Sequence, residues 1–273
     1  MNVICDTNVW YHIGNGKLKL EDIEGLPIDD LCVTYTNIIE ILYSNSNFKS
    51  YKNALHAIKK YAKRFIDNDP FQEVRSRMDD KYIVNNNLEN ILDKALLETE
   101  RQRTQNQNTY SEYYKAHLEI KSKFLKSFES RRKEIESNFT QNDEKQRRRE
   151  KKEYFVKCKK ESGRLIYEEV NELVSLLNDI QGDFVFKDLE FDDYAIFINL
   201  FKNYLIVSQF FLVKLVSNEK MKIDSNDLYD LTNMLYIGKL DLYLHGEKRW
   251  KNIFNDIGFS PQKYIYTLDY IVN

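Results

Sequence analysis

Apolar and polar positions along this chain alternate between short runs suited to strands and long stretches with helical spacing. The first run, Asn2-Val3-Ile4-Cys5, leads straight into Asp6, which predicts a short buried strand delivering an acid at its carboxyl end. Trp10 to Asn15 predicts a short helix stopped at Gly14 and Gly16. Leu31-Cys32-Val33-Thr34-Tyr35 predicts a second strand feeding a helix over Asn37 to Tyr43, with Thr34 or Thr36 as its N-cap. Leu240 to Leu244 alternates as a third strand would, and Tyr264-Ile265-Tyr266 predicts a last edge strand.

The remaining elements are helical. Ser50 to Asp67 carries Ala54, Ile58, Tyr61, Ala62 and Phe65 at helical spacing until Asn68-Asp69-Pro70 breaks it. From Leu88 to Leu177 the chain becomes heavily charged, with Tyr114, Leu118, Leu125, Phe128, Ile135 and Phe139 spaced by threes, fours and sevens. Phe155, Cys158, Leu165, Val170, Leu173 and Leu176 repeat that spacing beyond a helix-weakening cluster at Ser137 to Asp143. Together they predict an antiparallel, coiled-coil-like helical hairpin, whose seam Lys121 and Arg132 interrupt. Gln181-Gly182-Asp183 ends this arm. Phe191 to Val216 predicts a core helix, since Asn199, Lys202, Asn203 and Gln209 divide it short of a membrane span. Asp224 to Asp230 predicts polar capping of a helix over Leu231 to Ile237, closed by Gly238. After the turn His245-Gly246-Glu247, an amphipathic helix runs from Lys248 to Phe254 and stops by Gly258.

Composition narrows this picture. In 273 residues only 8 Gly and 3 Pro leave little room for the many tight turns of an all-β protein, and 42% hydrophobic residues suffice for a core. Lys and Arg number 41 against 43 Asp and Glu, so nucleic-acid binding has to rest on local patches and not on a global field. The 19 Tyr and 16 Phe would suit aromatic stacking on nucleic acid, yet A+T-rich coding sequence produces the same bias and is the preferred explanation. Cys5, Cys32 and Cys158 are an odd, widely spaced set, which implies reduced structural thiols in a cytoplasm and not a disulfide framework or zinc site. With no basic start and apolar run of a signal peptide, no membrane partner is expected.

Four acids share one topological property: Asp6 ends a strand, Glu40 rides the helix after the next, Asp230 or Asp227 opens a helix, and Glu247 follows the third strand. In a parallel sheet such positions project from one edge, where ligands bind. Glu40 stands between apolar neighbours on both sides, a costly place for a carboxylate unless a cation or hydrogen bonds satisfy it. Three or four clustered carboxylates suit Mg²⁺ or Mn²⁺, which prefer hard oxygen ligands.

This order of blocks resembles the PIN-domain family of metal-dependent nucleases: a strand ending Asp6-Thr7-Asn8, a strand with Thr34 and then a helix bearing Glu40, Asn226-Asp227-x-x-Asp230 opening a helix, and a strand followed by Glu247-Lys248. The family usually has Thr-x-Asp before a basic residue in the last block, where this chain has His245-Gly246-Glu247. The resemblance covers residues 1–68 and 192–273, and it implies a discontinuous α/β core with a parallel sheet flanked by helices, interrupted by the helical arm at 69–191. It implies a Mg²⁺- or Mn²⁺-dependent nuclease, an endoribonuclease before a deoxyribonuclease, with Asp6, Glu40, Asp230 and Glu247 catalytic and metal-holding and Asp227 competing with Asp230 for the third place. Asn8 and Thr36 would orient ligands or water, and Lys248 and Arg249 would hold the phosphate backbone. The rival expectation is a degenerate PIN-like core that serves as a helical protein-interaction module.

The arm carries Lys145-Gln146-Arg147-Arg148-Arg149-Glu150-Lys151-Lys152, and from Gln141 to Arg164 ten basic residues stand against five acidic. Such a run is ordinarily a solvated helix face. In the functional alternative, Arg147, Arg148 and Arg149 grip RNA or DNA phosphates, and the arm also docks a protein partner or a second copy of the chain.

Overall fold

The structure, a computed structural model, describes residues 2–23, 30–43, 48–78, 88–97, 111–139, 143–160, 169–175, 191–218, 220–223, 226–238, 241–257 and 265–267. The expected positions Leu165, Leu176, Gln181 to Asp183, Asp224, Ser225, Leu240, Gly258 and Tyr264 lie outside them. The chain divides into two compact units, Met1–Ala116 with Leu235–Asn273, and His117–Met234.

The first unit is an α/β layer structure. Its elements are β1 (Val3–Cys5), α1 (Thr7–Gly14), β2 (Leu31–Thr34), α2 (Tyr35–Tyr43), α3 (Phe48–Tyr61), β3 (Arg64–Ile66), α4 (Pro70–Met78), α5 (Leu88–Leu97), β4 (Leu242–His245), α10 (Lys248–Asp256) and β5 (Ile265–Thr267). The five strands run parallel in the order β3-β2-β1-β4-β5. β1 pairs with β2 on one side (Val3 opposite Leu31) and with β4 on the other (Val3 opposite Leu242). All residues of β1, β2 and β4 are buried, as strands covered by helices on both faces must be.

Sequence and structure part company at β3. Phe65 falls at helical spacing from Tyr61 and Ala62, so periodicity extends the preceding helix to Asp67. Instead α3 ends at Tyr61, and the Lys63 N–H donates to the Leu31 carbonyl at 2.8 Å, which starts a ladder along β2. A three-residue strand is too short to display its own alternation, and hydrogen bonding to an exposed strand edge decides its conformation.

Two further differences concern boundaries. α5, expected as the start of the charged arm, sends Ile91, Leu92 and Ala95 into the same apolar cluster as Val3, Trp10, Ile38 and Leu55. The first unit accordingly runs on to Ala116. The helix expected over Leu231 to Ile237 begins earlier, as α9 (Asp227–Asn233), and tightens into a 3₁₀ turn at Met234–Tyr236.

The second unit is helical: α6 (Ser111–Ser137, which enters from the first unit), α7 (Glu144–Lys160), a helical segment at 169–175, α8 (Phe191–Ser217) and α9. α6 and α7 meet through Glu136 and Lys151 at 3.4 Å, and the rings of Phe139, just past α6, and Tyr154 stand edge-on 5.7 Å apart. Among the described residues one stretch, Tyr194–Ser217, is long and apolar enough to cross a membrane, with mean hydropathy 1.6. The protein itself buries 61% of its most apolar window, and Phe197, Phe201, Leu205, Phe211 and Leu215 along the helix are buried, in keeping with the core helix expected.

Helix α1 crosses α3 at Gly14, where a β-carbon would stand 2.4 Å from the Asn53 carbonyl oxygen and 2.8 Å from the Ala54 nitrogen. Backbone cannot yield there as a side chain can. Gly14→Ala is expected to destabilise the chain by at least about 1–3 kcal/mol in urea unfolding, whereas a change below about 0.5 kcal/mol would mean the helices separate freely.

Candidate active site

Strand order reverses at β1. The chain passes from β1 to β2 and β3 on one side and then returns to place β4 and β5 on the other. A crevice opens at the carboxyl ends of the strands wherever a parallel sheet changes direction in this way. Asp6 is the first residue beyond β1, and its N–H still donates to the Leu244 carbonyl of β4 at 2.8 Å. The side chain is 3% exposed.

The carboxyl of Asp6 is held well above the usual carboxylate range, first by burial, then by the charges of Glu40 and Glu247. The Thr7 N–H and the Asn8 amide work in the opposite direction by bonding to the ionised form. Three carboxylates that the sequence separates widely thus sense one another at one sheet edge. Each arrives by a different route.

Glu40 rides α2, directly after β2, between the buried residues Ile39 and Ile41. A reciprocal pair starts that helix: the Thr34 N–H donates to Asn37 Oδ1 at 3.0 Å, and the Asn37 N–H donates to Thr34 Oγ1 at 3.3 Å. Thr34 is accordingly the N-cap, in a capping-box arrangement with Asn in the Glu position. The Asn37 amide also donates to Thr7 Oγ1 at 3.1 Å, which ties the first turn of α2 to the first residue of α1 beside Asp6. Thr7 and Asn37 escaped the sequence reading as site-positioning residues. Only the Thr34-x-x-Asn37 spacing hinted at them.

Glu247 is the N-cap residue of α10, with φ −96° and ψ 120°, yet its side chain makes no capping hydrogen bond. It accepts instead from Asn8 Nδ2 at 2.8 Å, and the same amide nitrogen stands 3.5 Å from Asp6 Oδ2. Asn8 therefore bridges two of the acids. Helices α1, α2 and α10 all begin at this edge, so three helix N-termini turn their positive dipole ends towards it.

The other expected residues lie as follows. Thr36 Oγ1 is 3.4 Å from the Tyr236 hydroxyl, which donates to the Asn68 carbonyl at 2.9 Å, so Thr36 takes part in a network at the end of β3. Lys248 is exposed and Arg249 half-buried in the first turn of α10. His245 is buried, stacked on Tyr243 (centroids 5.4 Å) and edge-on to Phe254 (5.1 Å), as a core side chain. Asp227 and Asp230 are both buried in the first turn of α9, in the second unit, where three-residue spacing sets them on one helix face. Asn226 is the N-cap of α9, so capping does not account for Asp227. On α7, Arg148 pairs with Glu144 (2.5 Å) and Arg149 with Glu153 (2.9 Å), each one turn away, while Arg147 is half-buried.

The donor set at the sheet edge is oxygen only, which suits a hard divalent cation and not zinc or copper. Among the described residues, however, no three His, Cys, Asp or Glu side chains stand close enough together to ligate one ion as they are arranged. Between Asp6 and Glu247 stands the Asn8 amide nitrogen, 3.5 Å from the one and 2.8 Å from the other. No family model, curated protein or solved structure matches this chain.

The raised Asp6 value has a sign that can be measured. Folded protein holds this proton more tightly than the unfolded chain, so the site's stability is full below the ordinary carboxylate value near 4 and is lost as pH rises through the higher folded value. Asp6→Asn is expected to stabilise the metal-free chain in urea at neutral pH, with the gain vanishing by about pH 4. A variant destabilised equally at both pH values would contradict it.

Proposed function

We propose that the chain is a divalent-metal-dependent nuclease that hydrolyses phosphodiester bonds, acting on RNA as the PIN-like order of its acidic blocks implies. The observation that carries this reading is the buried Asp6 carboxyl raised by both Glu40 and Glu247 at the switch point of the parallel sheet. Structural carboxylates are ordinarily found beside cations or donors, whereas here the neighbours that matter most are other acids.

Asp6, Glu40 and Glu247 would hold Mg²⁺ or Mn²⁺ directly or through water. Such an ion supplies a bound water of lowered pKa and neutralises charge at phosphorus. Asn8 orients Glu247 through its 2.8 Å hydrogen bond. Thr7 and Asn37 keep α1 and α2 in register across Asp6. The three helix N-termini favour an anionic phosphate, and Lys248 and Arg249, in the first turn of α10, would hold the phosphate backbone.

A second reading is favoured by the spacing of the acids, which among the described residues closes no metal shell. On that reading the core is a degenerate PIN-like domain, and the coiled-coil-like arm makes it a protein-interaction module or dimerises it. Both readings suit a cytoplasmic protein with reduced thiols.

Cleavage of labelled RNA and single-stranded DNA in Mn²⁺ separates them. Wild type is expected to cut, and Asp6→Asn, Glu40→Gln and Glu247→Gln each to lose about a hundredfold or more, with circular dichroism unchanged. Cleavage that survives all three substitutions, or a wild type that neither cuts nor binds Mn²⁺, overturns the enzyme reading.

A further inference from the structure

Between Glu40 and Asp67 the chain carries five Lys and one Arg and no Asp or Glu. That stretch holds α3, and its cations share one side of the helix. Lys49, Lys52, His56, Lys59 and Lys60 follow one another at steps of three, four, three and one, which keeps them on a single face, while Tyr51, Ala54, Leu55 and Ile58 turn the other face into the core. Lys63 and Arg64 extend the row past the end of the helix. Lys52 is half-buried and the others are exposed. The segment after α1 runs alongside: Asn15 Nδ2 donates to Ser50 Oγ at 3.4 Å, Asn53 Nδ2 donates to Asn15 Oδ1 at 3.1 Å, and the exposed Lys17 and Lys19 follow in the chain. The acidic edge is elsewhere. Lys63 meets β2 at Leu31, the first residue of that strand, so the row ends at the amino ends of the strands, opposite to Asp6.

A charged helix face is ordinarily solvated and ordinarily mixes both signs. Other helices of this chain do so: Lys123 takes Glu119, Arg148 takes Glu144 and Arg149 takes Glu153, each one turn away on its own helix. α3 has no acid to offer, and cations three or four residues apart repel and destabilise the helix that carries them. Two acids reach the row from outside. Asp93 of α5 pairs with Lys59, an exposed contact that contributes little, and the Tyr61 hydroxyl, with Glu21 after it, holds Lys60 above the ordinary lysine value. Lys49, Lys52 and Lys63 make no ion pair among the described residues. In a chain whose formal charge is -2, the face therefore keeps a local positive field that an anion from outside would neutralise.

We propose that the outer face of α3, from Lys49 to Lys63 and Arg64, binds the phosphate backbone of a single nucleic-acid strand, held by charge and not by sequence. Length argues for a polymer: Lys49 to Lys60 spans about 16 Å at 1.5 Å per residue, more than one phosphate covers. A lipid surface fits less well. Helices that lie on membranes offer apolar residues beside their cations, whereas α3 buries Tyr51, Leu55 and Ile58, and the large exposed hydrophobic side chains among the described residues, Leu97, Leu118, Val156 and Ile196, all stand on other helices. The choice of RNA as the strand rests on the nuclease reading, in which the row holds a stretch of substrate remote from the bond that is cut. Binding itself needs neither the acids nor a metal.

The test is fluorescence anisotropy of the full chain with a labelled single-stranded RNA of about 20 nucleotides in EDTA, where metal-dependent cleavage is off. RNA is expected to bind and DNA of the same sequence to bind about as well, while millimolar inorganic phosphate does not compete and phosphatidylserine vesicles are not bound. The triple variant Lys49→Gln, Lys52→Gln, Lys63→Gln should weaken RNA by about tenfold or more and lower the slope of log affinity against log salt by about 2, at roughly 0.7 per phosphate released. It should melt no lower than wild type, because like charges are removed. A charge-matched control, Lys115→Gln, Lys126→Gln, Lys133→Gln, alters exposed lysines of α6 that stand among Glu112, Glu119, Glu129 and Glu134, and should change affinity less than about threefold. No RNA binding at micromolar protein, a preference above about tenfold for either sugar, unchanged affinity and slope in the α3 variant, an equal loss in the α6 control, or capture by the vesicles would each overturn the proposal. Wild type that binds RNA in EDTA but fails to cut it in Mn²⁺ overturns the nuclease reading and leaves this one standing.

Discussion

Burying one carboxylate beside two others is the constraint around which the first unit is arranged. Asp6 leaves water at the end of a central strand, and the two charges that reach it most strongly are of its own sign. An isolated ionised carboxylate in such a place is strongly unfavourable, so the group takes up a proton, gains a cation, or is held by donors. The chain supplies two donors, the Thr7 N–H and the Asn8 amide, which favour the ionised form against these three influences. The sheet order makes the cost unavoidable, because β1 is flanked by the two strands whose following segments carry Glu40 and Glu247.

Around that edge the fold is braced by hydrogen bonds between residues far apart in sequence. Asp241 accepts from the Asn2 N–H at 2.8 Å and from the Gly238 N–H at 2.9 Å, fixing the entry of β4 against the entry of β1. Asn37 and Thr7 do the same for the helices that leave β2 and β1. These contacts set strand register at both ends, and register in turn sets which side chains arrive at the edge. The helical unit has its own anchor in the buried Arg131–Glu169 pair, completed by Ser208. Breaking one partner there would leave a buried charge, which is more damaging than the pair is stabilising.

Much of this was legible in the sequence, and the exceptions have local causes. Val3-Ile4-Cys5 before Asp6, Leu31 to Thr34 before a capped helix, and Leu242 to Leu244 before Glu247 are apolar runs that end in polar punctuation, and each is a strand. β3 was hidden because Phe65 sits at helical spacing and only a neighbour's free edge makes Arg64 to Ile66 extended. α5 read as part of a charged arm because heavily charged sequence follows it, while three inward residues decide where it packs. Convergence of Asp6, Glu40 and Glu247 followed from parallel topology alone. The bridging of Asp6 and Glu247 by Asn8 did not, since it depends on a rotamer and a distance that no spacing rule encodes.

The most direct test of the convergence is a crystal of the wild-type chain grown with Mn²⁺ and measured at the manganese absorption edge. The account predicts an anomalous peak among the carboxylates of Asp6, Glu40 and Glu247, with the Asn8 amide drawn away from Glu247. A map with no peak there, and Asn8 still bonded to Glu247, would contradict it.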